Sequence, residues 1–178
     1  MATVAQAIAE FLVAQGCTHA FGLVGGGNVT LFDEISKRMT LVCTHQEQGA
    51  AMAATYYYRT CRKIAPCLVT SGAGSANAIT GVMAAWMDGI PLLVLSGNEN
   101  IALLQGRTRI LGTQGFMSSD AAKHFTKFSR MAEGVTALGY VKHAYSLALK
   151  PRQGPCWIDL PRDVAREEEW KRGYEPSC

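Results

Sequence analysis

Short apolar runs recur along this chain, each followed by small or polar turn residues and then by a stretch with helical character. This alternation constrains the fold more than any other feature, because parallel strands need long crossovers and helices supply them. The runs cover residues 19–24, 40–43, 65–70, 91–96 and 155–160. Val4, Ile8, Phe11 and Leu12 recur at helical spacing, which predicts a helix over residues 3–15 ended by Gly16. Asn28 follows Gly25-Gly26-Gly27 and is placed to cap a helix through Leu31, Phe32 and Ile35. A further helix runs from Glu47 to about Tyr58, and the loop Ser71–Asn77 opens another that ends near Trp86. Periodicity weakens over residues 97–127, a long and partly irregular connection, and residues 131–149 predict a helix. The expectation is one α/β domain over residues 1–165, a parallel sheet flanked by helices on both faces. Residues 166–178 read as a charged tail or the start of a linker. Sheets of this kind bind ligands at the carboxyl ends of their strands. The Gly25–Gly27 loop, Glu47 and the Ser71–Asn77 loop are all expected there.

The 178 residues suffice for one domain with a sizeable core, and a net charge of +3 is too small to argue for nucleic acid. Arg59, Arg62 and Lys63 form the densest basic cluster, which fits a helix C-terminus favouring cations. Cysteines 17, 43, 61, 67, 156 and 178 show no C-x-x-C spacing and mostly sit beside apolar residues. They read as reduced core thiols of a cytoplasmic protein. The four histidines are scattered and pair with no cysteine at ligand spacing, so no metal ligands are assigned. No run is apolar and long enough to span a bilayer, and the N-terminus lacks a signal-peptide pattern.

Thr44–Ala54 concentrates the chemistry. Leu41-Val42-Cys43 reads as a short buried strand, after which Glu47 begins an alanine-rich helix. Thr44 and Glu47 also fit a capping box, in which both side chains only satisfy orphan N–H groups. Gly49, Ala50, Ala51, Ala53 and Ala54 allow a backbone or a flat ring to come close. Gly72-Ala73-Gly74 forms part of a dinucleotide fingerprint, but Asn77 stands where its third glycine belongs.

Five blocks occur in order: F-G-L-V-G-G-G-N at 21–28, H-Q-E-Q-G-A-A-M-A-A at 45–54, L-V-T-S-G-A-G-S-A-N at 68–77, M-D-G-I-P-L-L-V-L-S-G at 87–97 and G-P-C-W-I-D-L-P-R-D-V at 154–164. Together they resemble the N-terminal pyrimidine-binding (Pyr) domain of thiamine-diphosphate enzymes of the acetolactate synthase and 2-keto acid decarboxylase family. The resemblance implies that Glu47 is the catalytic carboxyl that hydrogen-bonds N1′ of the aminopyrimidine and drives its tautomerisation. It places Val24, Thr70, Ala73 and Asn77 around the aminopyrimidine pocket and Gly26 and Gly27 on the substrate side. It makes Gln114 the glutamine that reaches substrate or intermediate. Val24 stands where the family often has proline, Gln46 where histidine commonly precedes the glutamate, and Ala73 where proline is frequent. The acidic residue and paired histidines of pyruvate-decarboxylase-like members are missing, which leaves the 2-keto acid open.

The family's diphosphate-binding (PP) domain holds magnesium through a G-D-G motif, and no G-D-G occurs in this sequence. The resemblance therefore implies that thiamine diphosphate and Mg2+ are completed by a PP subunit. The expected assembly is a Pyr–Pyr pair flanked by two PP subunits. Three other readings stay open: a Pyr-like module kept for binding or regulation, a nucleotide-binding Rossmann protein, and a fragment of a longer enzyme.

Overall fold

A computed structural model describes residues 2–104, 112–115 and 117–168. The chain runs α1 (Val4–Ala14), β1 (His19–Gly22), α2 (Val29–Ser36), β2 (Thr40–Cys43), α3 (Glu47–Cys61), β3 (Cys67–Val69), α4 (Ala73–Asp88) and β4 (Leu92–Asn98). It continues through α5 (Ile101–Leu104), a 3-10 turn at Gly112–Gly115, α6 (Ser118–Ala122), β5 (Phe128–Met131), α7 (Ala137–Leu149), β6 (Pro155–Pro161) and α8 (Arg162–Arg166). The six strands form one parallel sheet in the order β2-β1-β3-β4-β6-β5.

Right-handed crossovers decide the layers. Connections that step left across the sheet put α2 and α7 on one face, where α1 and α8 join them. Connections that step right put α3, α4 and α6 on the other. The expected sheet with helices on both faces is what forms. β4 and β6 are its spine: seven residues each, all buried, with Trp157 at 0% exposure. The chain leaves β1 leftward to β2 and returns rightward over β1 to β3, so the order reverses between β1 and β3. Loops diverge at such a point and leave a crevice at the carboxyl ends of the strands.

Several expectations need correction. Residues 131–149 are not one helix: β5 occupies Phe128–Met131 and α7 begins only at Ala137. The four-residue Phe-Ser-Arg-Met segment has little strand character of its own, and its pairing with β6 creates the strand. β2 is not buried, since it lies at the sheet edge with Val42 38% exposed. Cys43 on that edge and Cys61 at the end of α3 are exposed, whereas Cys17, Cys67 and Cys156 are core thiols. Burial pushes the Cys17 thiol up to about 11 and that of Cys156 up to about 12. The start of the predicted tail is folded as α8, and Glu168 bridges Thr3. Residues 169–178, with Cys178, lie outside the described residues.

Among the described residues, no helix is long and apolar enough to cross a membrane. No three His, Cys, Asp or Glu side chains converge there as a metal site.

Candidate functional site

Glu47 is the first residue of α3, directly above the reversal between β1 and β3. The capping box does not form. The Thr44 hydroxyl donates to the Gln46 carbonyl at 2.8 Å, and the extended Gln46 is the N-cap with no side-chain cap bond. The Glu47 carboxylate instead turns inward and is only 8% exposed. Asn77 Nδ2 donates to its Oε2 at 2.9 Å. This pairing depends on how closely α3 and α4 pack. A Cβ on Gly81 would lie 2.6 Å from the Ala51 Cβ, so glycine is needed at that crossing. The first turns of both helices then share one cleft.

Glycines shape the cleft. A Cβ on Gly74 would fall 2.9 Å from Glu47 Oε1 and 2.6 Å from Thr70 Cγ2. One on Gly25 would meet Thr70 Oγ1 at 2.4 Å. Thr70 is thus the wedge between the first glycine loop and α4, and its Oγ1 accepts from Gly27 N–H at 3.3 Å. Asn28 does not cap α2 through its side chain. Its Oδ1 accepts from Gly25 N–H at 2.8 Å and its Nδ2 donates to the Leu23 carbonyl at 3.0 Å, which ties the glycine loop to itself.

Val24 is 52% exposed beside this loop, and Ala73 is exposed at the start of α4. Gly26 is exposed and faces open space, whereas Gly27 is buried against Ser71 and the Gly97–Asn98 backbone. Gln114 comes to the same end of the sheet from the 3-10 turn, where its Oε1 accepts from the Ser71 hydroxyl at 2.9 Å. Gly72, at φ +65°, permits that approach: a Cβ there would sit 2.0 Å from the Thr113 carbonyl oxygen. Thr70, Glu47 and Asn77 therefore meet directly around Gly74, Gln114 joins through Ser71, and Val24, Gly26 and Ala73 lie on exposed positions of the rim.

Sequence reasoning did not single out Ser71 or Gly74 as site residues. Ser71 carried a signal, a hydroxyl in the second position beyond the end of a buried strand. Asp159, within the last of the five blocks, is a further buried carboxyl. It is 0% exposed and accepts from Ser118 Oγ at 2.5 Å, Trp157 Nε1 at 2.8 Å and Ser119 N–H at 2.8 Å. Burial holds its carboxyl above the usual carboxylate range despite these bonds. Ser129 Oγ completes the cluster by donating to the Ser119 carbonyl at 2.5 Å. Asp159 thus ties the segment following Gln114 to the spine of the sheet.

The chemistry available at Glu47 follows from its surroundings. Asn77 fixes one carboxylate oxygen, and the other borders the glycine-lined cleft. Behind Glu47 on β3, burial and the negative charge of the glutamate both raise the Cys67 thiol, so that group stays protonated. A carboxyl oriented in this way can share a proton with a heteroatom of a ring that reaches its second oxygen.

The family described as "Thiamine pyrophosphate enzyme, N-terminal TPP binding domain" matches residues 2–124. The chain is 34% identical over 175 residues to an acetolactate synthase of Arthrospira platensis, covering 93% of this chain and 29% of that protein. It is 34% identical over 166 residues to the large subunit of acetolactate synthase isozyme 2 of Escherichia coli K12, covering 90% and 29%. With the mitochondrial acetolactate synthase of Schizosaccharomyces pombe, identity is 34% over 161 residues, covering 87% and 23%. The chain spans less than a third of the length of these relatives. The glycine-lined crevice around Glu47, the fold that builds it and these matches agree, and the chain belongs to the thiamine pyrophosphate enzyme family, as its N-terminal, Pyr-type domain.

Proposed function

We propose that this chain is the pyrimidine-binding subunit of an enzyme that decarboxylates a 2-keto acid and then protonates the acyl carbanion or transfers it to an acceptor, in the manner of acetolactate synthase. The buried Glu47 carboxyl carries the reading: one oxygen is fixed by Asn77 and the other lies against Gly74, a position with no side chain. These residues fit the aminopyrimidine half of thiamine diphosphate. Glycine at 25 and 74 lets Thr70 and Glu47 come close to both loops, and a ring nitrogen needs a carboxyl that can hold a proton. When bound, thiamine diphosphate supplies the nucleophile and the electron sink for cleavage beside a keto group.

The chain's own residues do the rest. Glu47 holds a proton at Oε1, and Asn77 keeps the carboxyl from rotating away. Thr70 spaces the two glycine loops. Gln114, positioned through Ser71, reaches toward the substrate side. Diphosphate and Mg2+ belong on a separate PP subunit, because a bridging metal needs carboxylate and carbonyl oxygens at fixed positions. We place two such subunits around a Pyr–Pyr pair, a closed two-fold arrangement. Exposed apolar side chains on α3 and α4, among them Tyr56 at 63% and Met87 at 73%, support a protein contact on these helices.

Calorimetry tests the division of labour. The isolated chain should bind thiamine diphosphate with Mg2+ poorly and turn over no 2-keto acid. Addition of a PP-type subunit should create tight cofactor binding and activity together. Strong, magnesium-dependent binding by the isolated chain would overturn the reading and make the glycine loops a phosphate site in their own right.

A further inference from the structure

The opposite end of the sheet holds a second cleft, of about 260 Å3, lined by Trp86, Lys127, Arg152 and Gln153. Trp86 comes from the last turn of α4, Lys127 directly precedes β5, and Arg152 and Gln153 lie between α7 and β6. Gly154 packs beneath two of these side chains. A Cβ on Gly154 would lie 3.3 Å from Lys127 Cδ and 3.7 Å from Trp86 Cε3. The indole forms one wall and is 38% exposed.

The rim is cationic and held in place by main-chain carbonyls. Lys127 Nζ donates to the Lys150 carbonyl at 2.6 Å, and Arg152 Nη2 donates to the Met87 carbonyl at 3.0 Å. Gln153 Nε2 donates to the Tyr58 hydroxyl at 3.1 Å. A carbonyl orients a cation without neutralising it, and lysine and arginine each keep further donors. Among the described residues neither Lys127 nor Arg152 forms an ion pair. Asp88, at the end of α4, is engaged by Arg59.

We propose that this cleft binds a flat ring bearing one phosphate or carboxylate group. The ring would lie against the Trp86 indole, over the stem of Lys127, and the anion would take the remaining donors of Lys127 and Arg152. The volume suits a small ring compound with its anionic group. Trp86 stands nine positions beyond Asn77 in α4, about 14 Å along the helix. The cleft is therefore a separate site, and it does not rest on the reading of Glu47.

NMR titration of the full chain tests the proposal, with the Trp86 indole N–H assigned through Trp86→Phe. AMP and benzoate are the two probes, and adenosine and inorganic phosphate are the two halves of AMP. A saturable shift of the Trp86 indole signal by AMP, benzoate or both is expected. Adenosine and phosphate should bind about tenfold more weakly, and Lys127→Ala with Arg152→Ala should weaken the better probe about tenfold. Preference for AMP would identify a nucleotide as the ligand, and preference for benzoate an aromatic acid. Gly154→Ala should also weaken binding, by crowding the Lys127 stem. If the double variant loses its native spectrum, Lys127→Met alone replaces it. No saturable shift from either probe up to about 10 mM, phosphate binding as well as AMP, or a double variant that binds like wild type would each overturn the proposal.

Discussion

Glu47 and Asp159 are both buried carboxylates at the carboxyl end of the same sheet, and the fold treats them oppositely. Asp159 is 0% exposed and three donors from its own chain meet its oxygens. Glu47 has one side-chain donor among the described residues, Asn77, and its other oxygen borders a glycine-lined cleft. A carboxylate that the fold saturates acts as a tie: Asp159 joins β6 to α6 and, through Ser119 and Ser129, to β5. A carboxylate left with free acceptor capacity beside open space is available to a group from outside. The difference comes from the neighbours. Serine and tryptophan converge on Asp159, whereas glycine at 74 presents no side chain to Glu47 Oε1.

The contrast predicts different failures. The largest effect should follow Glu47→Gln in the reconstituted enzyme, with turnover falling by on the order of 10²-fold or more while the fold is kept. Deuterium exchange at the cofactor C2 position, followed by NMR, reads the step directly; exchange at the wild-type rate would remove Glu47 from the catalytic role. Asp159→Ala should do the reverse and cost stability. It strands Ser118 Oγ, Trp157 Nε1 and Ser119 N–H in the core, a loss of about 3 kcal/mol by urea unfolding.

Asp159→Asn gives a smaller effect with a definite sign. Burial raises the folded-state pKa of Asp159, so the stability it contributes is fully present below its ordinary carboxylate value and is lost as pH rises through the raised one. Asparagine does not titrate. The advantage of wild type over Asp159→Asn should therefore be largest in acid and narrow toward neutrality. A gap that widens with pH would mean that the three hydrogen bonds outweigh burial.

The smallest effect is expected for Gln114→Ala: a severalfold change in preference among 2-keto acids, with cofactor affinity unchanged. Wild-type kinetics with every accepted substrate would mean that the turn over Gly72 only covers the cleft.

Much of this architecture was legible in the residues. Gly16 ends α1 at φ +82°, and Glu47 begins α3, because helix stops and starts depend on a few neighbouring residues. Helices α1, α3 and α4 lie close to their expected bounds for the same reason. Local rules failed where distant partners compete. Thr44 and Glu47 have capping-box spacing, yet the Glu47 side chain reaches across to Asn77, thirty residues on. Asn28 has N-cap chemistry, yet the glycine loop before it offers Gly25 N–H and the Leu23 carbonyl. β5 took residues that a helical pattern extended backward from α7 had absorbed.

The alternation of strands and helices, β5 excepted, and the parallel sheet that it implies were set by the chain itself. Turn-forming glycines and runs of apolar or alanine-rich residues act within a few residues of where they stand. The tertiary structure decided which carboxylate is saturated and which is left open. It placed Gln114 beside Ser71, and it set Lys127 and Arg152 against Trp86 at the far end of the sheet. Those outcomes depend on how closely α3 and α4 approach and on which strand ends lie side by side, and no spacing along the chain encodes either distance.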